Sequence, residues 1–205
     1  MTINDNAVLT ASRGFIFTAP AGTAAPTAAV IDAFTPTTTL SGWISVGHTS
    51  EKDLPEFGFD GGGSEVRGTW ANKALRSVET ETPVDFVNFT LQQFDGHALE
   101  LYYGVQNAST EPGVFAVRRT ATKLPNQALL IVVVDGPTSI AFYAGKTTIR
   151  RQDAVALATD EFGNLPVRAT ILDDGTADLL RWISLDTGIN PPPAGFTTTD
   201  ERASV

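Results

Sequence analysis

Short apolar runs separated by turn residues dominate the chain, and this pattern is typical of β-strands. Residues 127–135 carry apolar side chains on both faces, which indicates a central strand that is covered on both sides. In chain order, strands are predicted at 13–20, 43–47, 65–70, 75–82, 84–91, 127–135, 138–144, 146–150, 154–159, 167–172 and 179–185. The pattern therefore predicts a mainly β protein.

One stretch follows the helical period instead. Ala98, Leu101 and Tyr102 stand at positions i, i+3 and i+4, so that they share one face of a helix. Asp95 is a suitable N-cap because its carboxylate can accept from free N–H groups, and Gly104 suits a left-handed C-terminal cap. The sequence predicts a helix over 95–103.

Residues 49–64 are the most loop-like part of the chain, with Pro55, Gly58 and the triplet Gly61, Gly62 and Gly63. Loops longer than about 12–15 residues are usually functional or disordered. Leu54, Phe57 and Phe59 supply apolar contact groups that are expected to have no partner surface in a free subunit. We therefore predict an assembly loop that orders on meeting a partner; the alternative is a mobile hairpin tip.

The other connections suggest one domain over 1–205. An N-terminal arm is predicted at 1–12, and a polar C-terminal tail at 190–205, after a stiff run of three prolines. Residues 21–39 are poor in charge and are predicted to form an ordered loop held by Val30, Ile31 and Phe34.

The net charge and composition of the chain exclude some classes of binding partner. The chain has 205 residues, a formal net charge of −9 and no cysteine, so a disulfide framework is excluded. A protein this acidic does not hold nucleic acid through phosphate neutralisation. No apolar run approaches about 18 residues, and no secretory signal is expected at the N-terminus.

Candidate chemistry is sparse. His48, Ser50 and Asp53 contain the residue types of a hydrolase triad, but a triad converges from separate parts of a fold, whereas these three share one loop. His97 is expected to be a surface or packing histidine. Two histidines without cysteine give no zinc-ligand spacing. We expect no enzyme activity, no metal and no cofactor.

Two further motifs favour structural interpretations. The run G-F-D-G-G-G at 58–63 leads into a strand-like stretch rather than a helix, so a turn is favoured over a phosphate cradle, and the acids nearby lack the spacing of a calcium loop. The pairs at 118–119 and 150–151 are two arginines each, too few for a nucleic-acid patch. They are expected to face acidic groups on a neighbouring subunit.

Much of the chain resembles one protein family. The residues that carry the resemblance are G-F-I-F-T-A-P-A-G-T-A-A-P at 14–26, W-I-S-V-G-H-T-S at 43–50, L-P-E-F-G-F-D-G-G at 54–62, W-A-N-K-A-L-R at 70–76, F-T-L-Q-Q-F-D at 89–95 and L-E-L-Y-Y-G at 99–104. In this wording the chain resembles the major tail tube proteins of long, non-contractile-tailed phages, especially those of actinobacterial hosts.

The resemblance implies two packed β-sheets, a sandwich or barrel-like fold, with a flanking helix. It implies rings of six subunits that stack into a tube in the virion, after synthesis in the host cytoplasm. The long loop at 49–64 would reach an adjacent subunit or ring. Tape measure, terminator and tip proteins are the implied partners, and no membrane is involved.

DNA would pass through the tube without specific binding. Six copies of −9 would give −54 per ring, which opposes adhesion of a polyanion. Glu79, Glu81 and Asp85 are the acids predicted to face the lumen. Two alternatives stay open: a monomeric β-sandwich binding or decoration module, and a tube subunit of a contractile or secretion system.

Overall fold

The computed structural model describes residues 3–175 and 178–190, and it is mainly β, as predicted. A 3-10 turn at Asp5–Ala7 precedes the first strand. The regular elements of the described residues are β1 (Arg13–Pro20), α1 (Ala28–Asp32), β2 (Ile44–Ser45), β3 (Glu56–Asp60), β4 (Ser64–Arg67), β5 (Arg76–Glu79), β6 (Val84–Leu91), α2 (Gly96–Tyr103), β7 (Gln127–Asp135), β8 (Thr138–Arg151), β9 (Leu165–Ile171) and β10 (Arg181–Ile183).

Two antiparallel sheets contain these strands. The large sheet has the order β2-β1-β7-β8-β9-β6-β3, with β10 paired beside β8. The second sheet is the hairpin of β4 and β5. Strand β7 lies between β1 and β8, with Val132 opposite Phe15 on one side and Ala141 on the other. The prediction of a central strand at 127–135 is therefore confirmed.

The large sheet is covered on both faces where it contains β7. Leu129 and Ile131 join a core cluster that also holds Val87 and Phe89 from the distant half of the sheet, so the two halves close on one core. Leu130 and Val132 point the other way, into a second cluster that the segment from 31 to 43 covers. Alternate side chains of one strand thus serve two cores.

Helix α2 packs on the first core cluster as its sequence predicts. The Asp95 carboxylate accepts a hydrogen bond from the Ala98 N–H at 2.8 Å, which caps the helix. Gly104 ends it in the left-handed region, with φ of 65°. Ala98, Leu101 and Tyr102 are all buried. The predicted caps and buried face are confirmed.

Helix α1 was not predicted. Residues 21–39 were expected to form a loop throughout, yet Ala28–Asp32 are helical after Thr27, whose hydroxyl accepts from the Val30 N–H. Ile31 and Phe34 are buried in the second cluster, as expected of anchors, whereas Val30 is 40% exposed. Five residues are too short a helix for the apolar period to be visible in the sequence.

Strand β8 corrects a predicted break. Gly145 was expected to separate strands at 138–144 and 146–150, but Thr138–Arg151 form one strand with an irregularity in its pairing to β7. A Cβ atom at position 145 would lie 2.2 Å from the Asp174 carboxylate. The glycine is therefore required by the close approach of another segment, not by a turn.

Two other expectations need correction. No strand forms over 154–159 among the described residues, where a bridge from Ala156 to Asn164 is the paired backbone. The predicted strands at 43–47, 75–82 and 179–185 shorten to β2, β5 and β10. No helix of the described residues is both long and apolar enough to span a membrane.

The predicted N-terminal arm at 1–12 is tied to the body in its described part. The backbone N–H of Thr10 and the hydroxyl of Ser12 both donate to the Asp135 carboxylate, at 2.7 and 3.0 Å. The predicted C-terminal tail lies outside the described residues from 191 onward.

Candidate assembly surface

A hairpin arm projects from the edge of the large sheet. We give this name to residues 61–83, which contain β4 and β5. The arm leaves the sheet beside the point where it returns, because Asp60 at the end of β3 pairs with Val84 at the start of β6. Every arm residue is exposed except the half-buried Val78. In the part of the chain that the structure describes, strands β4 and β5 pair only with each other.

Strand β3 corrects the prediction that 49–64 is a loop throughout. Glu56–Asp60 pair with β6 at the sheet edge. Phe57 contacts Phe142 and Trp182, with ring centroids 4.8 and 5.1 Å apart, so the expectation that it lacks a partner in a single subunit is also wrong. Gly58 is the reason that the sequence predicted a loop here instead of a strand. Its Cβ would lie 2.6 Å from the Phe86 ring, so glycine is needed for packing.

The remaining predicted contact groups of this segment are open to solvent. Leu54 is 49% exposed and Phe59 is 64% exposed. Gly61 and Gly62 adopt φ values of 82° and 74°, which only glycine takes readily, so they turn the chain from β3 into the arm. Gly63 packs against Thr80, whose N–H and hydroxyl both donate to its carbonyl.

The tip of the arm is a hydrogen-bonded turn that displays Trp70. The backbone N–H groups of Thr69 and Asn72 donate to each other's carbonyl oxygens, at 2.7 and 3.2 Å. A Cβ atom on Gly68 would lie 2.2 Å from the Lys73 carbonyl oxygen, so the turn closes tightly there. Trp70 is 100% exposed at the apex.

The tip is basic in an otherwise acidic chain. Arg67, Lys73 and Arg76 are its charged residues, and no acid occurs between Glu65 and Glu79. The Arg67 guanidinium lies 3.3 Å from the Glu65 carboxylate. Three positive charges in a chain of net charge −9 leave the remaining residues more acidic than the total indicates.

An acidic recess opens at the other end of β6. Its volume is about 560 Å³ and its lining is Thr49, Ser50, Glu51, Lys52, Gln92, Thr159, Asp160, Glu161, Phe162 and Asn164. Lys52 forms an ion pair with Glu161, and the hydrogen bond to that carboxylate, followed by its charge, raises the pKa of Lys52. Phe162 is 79% exposed at the recess.

The predicted lumen acids occupy two environments. Glu79 ends β5 and Glu81 follows it, both exposed on the arm. Asp85 is half-buried in β6, opposite Phe59 of β3. The three acids thus run from the arm into the large sheet.

The triad-like residues hold a turn together. The Ser50 hydroxyl donates to the Asp53 carboxylate at 3.1 Å and accepts from the Asp53 N–H at 3.0 Å. Among the described residues, no hydrogen bond joins the His48 ring to Ser50. His97 packs as predicted: its Nε2 lies 3.0 Å from the hydroxyl of the buried Thr18.

Sequence reasoning missed Trp70 as a surface residue. The prediction of a strand over 65–70 placed it inside that strand, because the alternation of Val66 with polar residues runs toward it. The signal for a turn was present in Gly68 and Asn72, which flank the apex at turn-favouring positions.

Comparison with known proteins gives concordant matches over nearly the whole chain. Residues 1–196 match the family model described as phage tail tube protein. The major tail protein Gp23 of Mycobacterium phage D29 is 48% identical over 197 residues, which cover 93% of this chain and 98% of the relative. Gp23 of Mycobacterium phage L5 is 48% identical over 191 residues, which cover 91% of this chain and 95% of that relative.

Proposed function

This chain belongs to the phage tail tube protein family and is a structural component of the phage tail, not an enzyme, and on that premise we propose that its copies close into rings of six that stack into a tube. The tube is the conduit for DNA ejection into the host. The protein is thus located in the virion, and the recognition made from its sequence is confirmed.

The observation that carries ring closure is the pair of open edges on the large sheet. Strand β3 ends the sheet on one side, where β6 is its single partner within the described ranges. On the other side β2 pairs with β1 at Phe17 and Thr18, so among the described residues the outer edge of β1 toward Arg13 has no strand beside it. Unpaired edges are templates for another strand, and a head-to-tail contact that closes gives a ring.

Electron microscopy of the purified protein tests this proposal. Rings with six-fold symmetry, or tubes built from them, are the expected particles. Isolated globules at high concentration would favour the decoration module, and tubes enclosed by a sheath in the parent particle would favour the contractile alternative. A particle map would also identify the tape measure, terminator and tip proteins that the family resemblance implies.

We further propose that residues 49–64 and the adjoining arm contact the neighbouring subunit or ring. Support comes from the exposure of Leu54 and Phe59, which would each contribute roughly 1.5–3 kcal/mol on burial. Hydrogen exchange on monomer and tube is the test. Because β3 is paired with β6, its bonded amides are expected to be protected in both states, whereas amides from 61 to 64 gain protection in the tube. Equal exchange there in both states would contradict the contact.

The acids at 79, 81 and 85 are proposed to line the DNA path and repel the polyanion. Lysine at all three positions should slow DNA passage while tubes still form. Normal infection by particles with intact tails carrying Glu79→Lys, Glu81→Lys and Asp85→Lys would contradict the assignment. Arg118→Lys and Arg119→Lys serve as a control that keeps the charge.

A further inference from the structure

We propose that Trp70 and the basic tip of the hairpin arm insert into the acidic recess of a second copy of this chain. This inference rests on the proposed assembly into rings and tubes and names the two surfaces that meet. The occupant of the recess is the tip of another subunit, recognised by one aromatic anchor and a ring of opposite charges.

The tip has the form of a preorganised anchor. The paired hydrogen bonds of Thr69 and Asn72 and the close packing at Gly68 fix the turn before any partner arrives. Little conformational entropy is then lost on binding. A fully exposed tryptophan held at an apex is unfavourable in water, and tryptophan is enriched among residues that dominate interface energies.

The recess complements that tip in charge and in apolar surface. Glu51 and Asp160 form no ion pair among the described residues, so both carboxylates are available to Arg67, Lys73 or Arg76. Phe162 in the recess lining is 79% exposed, and Leu157, which is 78% exposed, lies against the adjacent Gly163. They offer an indole ring apolar contact, while the carboxylates take the cations.

The fold places the two surfaces at opposite ends of one strand. The arm joins β6 at Val84, and the recess reaches β6 at Gln92, just beyond its last residue. The eight steps from Val84 to Gln92 span roughly 26 Å at the usual rise of about 3.3 Å per residue. No arm residue lines the recess of its own chain. Docking therefore joins unlike surfaces of two copies, the contact that propagates assemblies.

The first experiment removes the anchor. Trp70→Ala should fold with unchanged circular dichroism and melting temperature, since the ring touches nothing in the monomer, yet raise the concentration needed for assembly at least about tenfold. Ile3→Ala, at another exposed apolar residue, is the matched control and should assemble normally. Assembly of Trp70→Ala at wild-type concentrations would overturn the inference.

The second experiment exchanges the charges. Lys73→Glu with Arg76→Glu should prevent assembly, and so should Glu51→Lys with Asp160→Lys. All four substitutions in one chain restore opposite signs and should restore assembly. A four-fold variant that stays monomeric although it folds would overturn the pairing. Lys123→Glu, at an exposed charge outside both surfaces, is the control and should leave assembly unchanged.

The third experiment locates the contact directly. The chain has no cysteine, so introduced cysteines are the sole thiols. Ala71→Cys combined with Asp160→Cys should give disulfide-linked ladders of subunits on mild oxidation of assembled protein, whereas Ala71→Cys with Lys123→Cys should not. Ladders in the control pair alone would overturn the inference. Wild-type protein that formed no assemblies at all would instead contradict the proposed function.

Discussion

The body of the protein and its hairpin arm differ in how their strands are paired and how far their apolar side chains are buried. In the body, β7 is flanked by two strands and covered by apolar clusters on both faces. In the arm, β4 and β5 pair with no other strand of residues 3–175 and 178–190, and of the 23 arm residues only Val78 is half-buried. The body thus buries two apolar clusters within one chain, whereas the arm exposes Val66, Trp70 and Leu75.

This difference separates the body, which stabilises the subunit, from the arm, which is proposed to contact another copy. A two-stranded hairpin without a packed face is at best marginally stable in water. The arm keeps its form through turn hydrogen bonds and the tight approach at Gly68. Because the side chains of Val66, Trp70 and Leu75 are exposed, we expect them to contribute little to the free energy of unfolding of the subunit, which leaves their burial available for assembly. Substitutions in the body and in the arm should therefore have different effects.

Substitution by proline is expected to give the largest difference between the body and the arm. Val132→Pro places a residue without an N–H in a strand that has partners on both sides, and we expect no folded protein. Val66→Pro makes the same change in the arm and should leave the melting temperature of the body unchanged. Circular dichroism and thermal melts of both variants measure this. Normal folding and assembly of Val132→Pro would show that the central strand is misplaced.

Truncation of an apolar side chain should lower the free energy of unfolding by several kcal/mol in the body and by much less in the arm. Leu101 is fully buried, so Leu101→Ala should lower the free energy of unfolding by about 2–5 kcal/mol. Leu75 is 55% exposed on the arm, and Leu75→Ala should change it by less than about 0.5 kcal/mol. Denaturant titration measures both. Equal losses would mean that the arm is part of the cooperative core.

The cap of helix α2 is expected to matter less. Asp95→Ala removes the acceptor for the Ala98 N–H and should cost about 1 kcal/mol. Asp95→Asn keeps a side-chain oxygen in place and should retain most of that stability. A loss with asparagine equal to that with alanine would indicate that charge, not the hydrogen bond, is what the helix requires.

Alkaline pH should produce the smallest effect, and only in the body. Burial, followed by the nearby Asp174 charge, raises the pKa of Tyr143, which donates to the Thr23 carbonyl at 2.8 Å. The neutral phenol is thus favoured in the folded state. Its contribution is complete below the ordinary tyrosine pKa of about 10 and is lost as pH rises through the folded value.

Unfolding free energies measured across that pH range provide the test. Tyr143→Phe should decline less steeply above pH 10 than the wild type does, since it has no phenol at this position to ionise. The arm contains no tyrosine, so Leu75→Ala should follow the wild-type curve. Parallel curves for Tyr143→Phe and the wild type would contradict the role given to this hydroxyl.

Prediction from sequence succeeded where local chemistry and the final fold agree. Strands β1, β6 and β7 have the predicted bounds because each has a strong apolar pattern with a clear end. Helix α2 has a cap at each end and one apolar face. Prediction from sequence failed at Gly58 and Gly145, which were interpreted as turn residues. Glycine is required at these positions because the Phe86 ring approaches Gly58 and the Asp174 carboxylate approaches Gly145.

The recess was beyond prediction for a different reason. Its two walls, residues 49–52 and 159–164, are more than a hundred positions apart in the chain. They meet because Thr49 bridges to Leu91 and Ala156 bridges to Asn164 at the same end of the sheet. Contacts of this kind depend on the register of strands far apart in sequence, which no local pattern contains.

In the proposed docking, the placement of arm and recess at opposite ends of β6 gives a growing tube a direction. One terminus of the tube presents unfilled arms with basic tips, and the other presents unfilled acidic recesses. The proteins that begin and finish the tail therefore meet chemically different surfaces, and a basic partner that fits the recess terminus has no affinity for the arm terminus. A starter complex that fills one terminus would leave the other as the site of subunit addition, so one further partner that fits this second surface would be sufficient to stop growth.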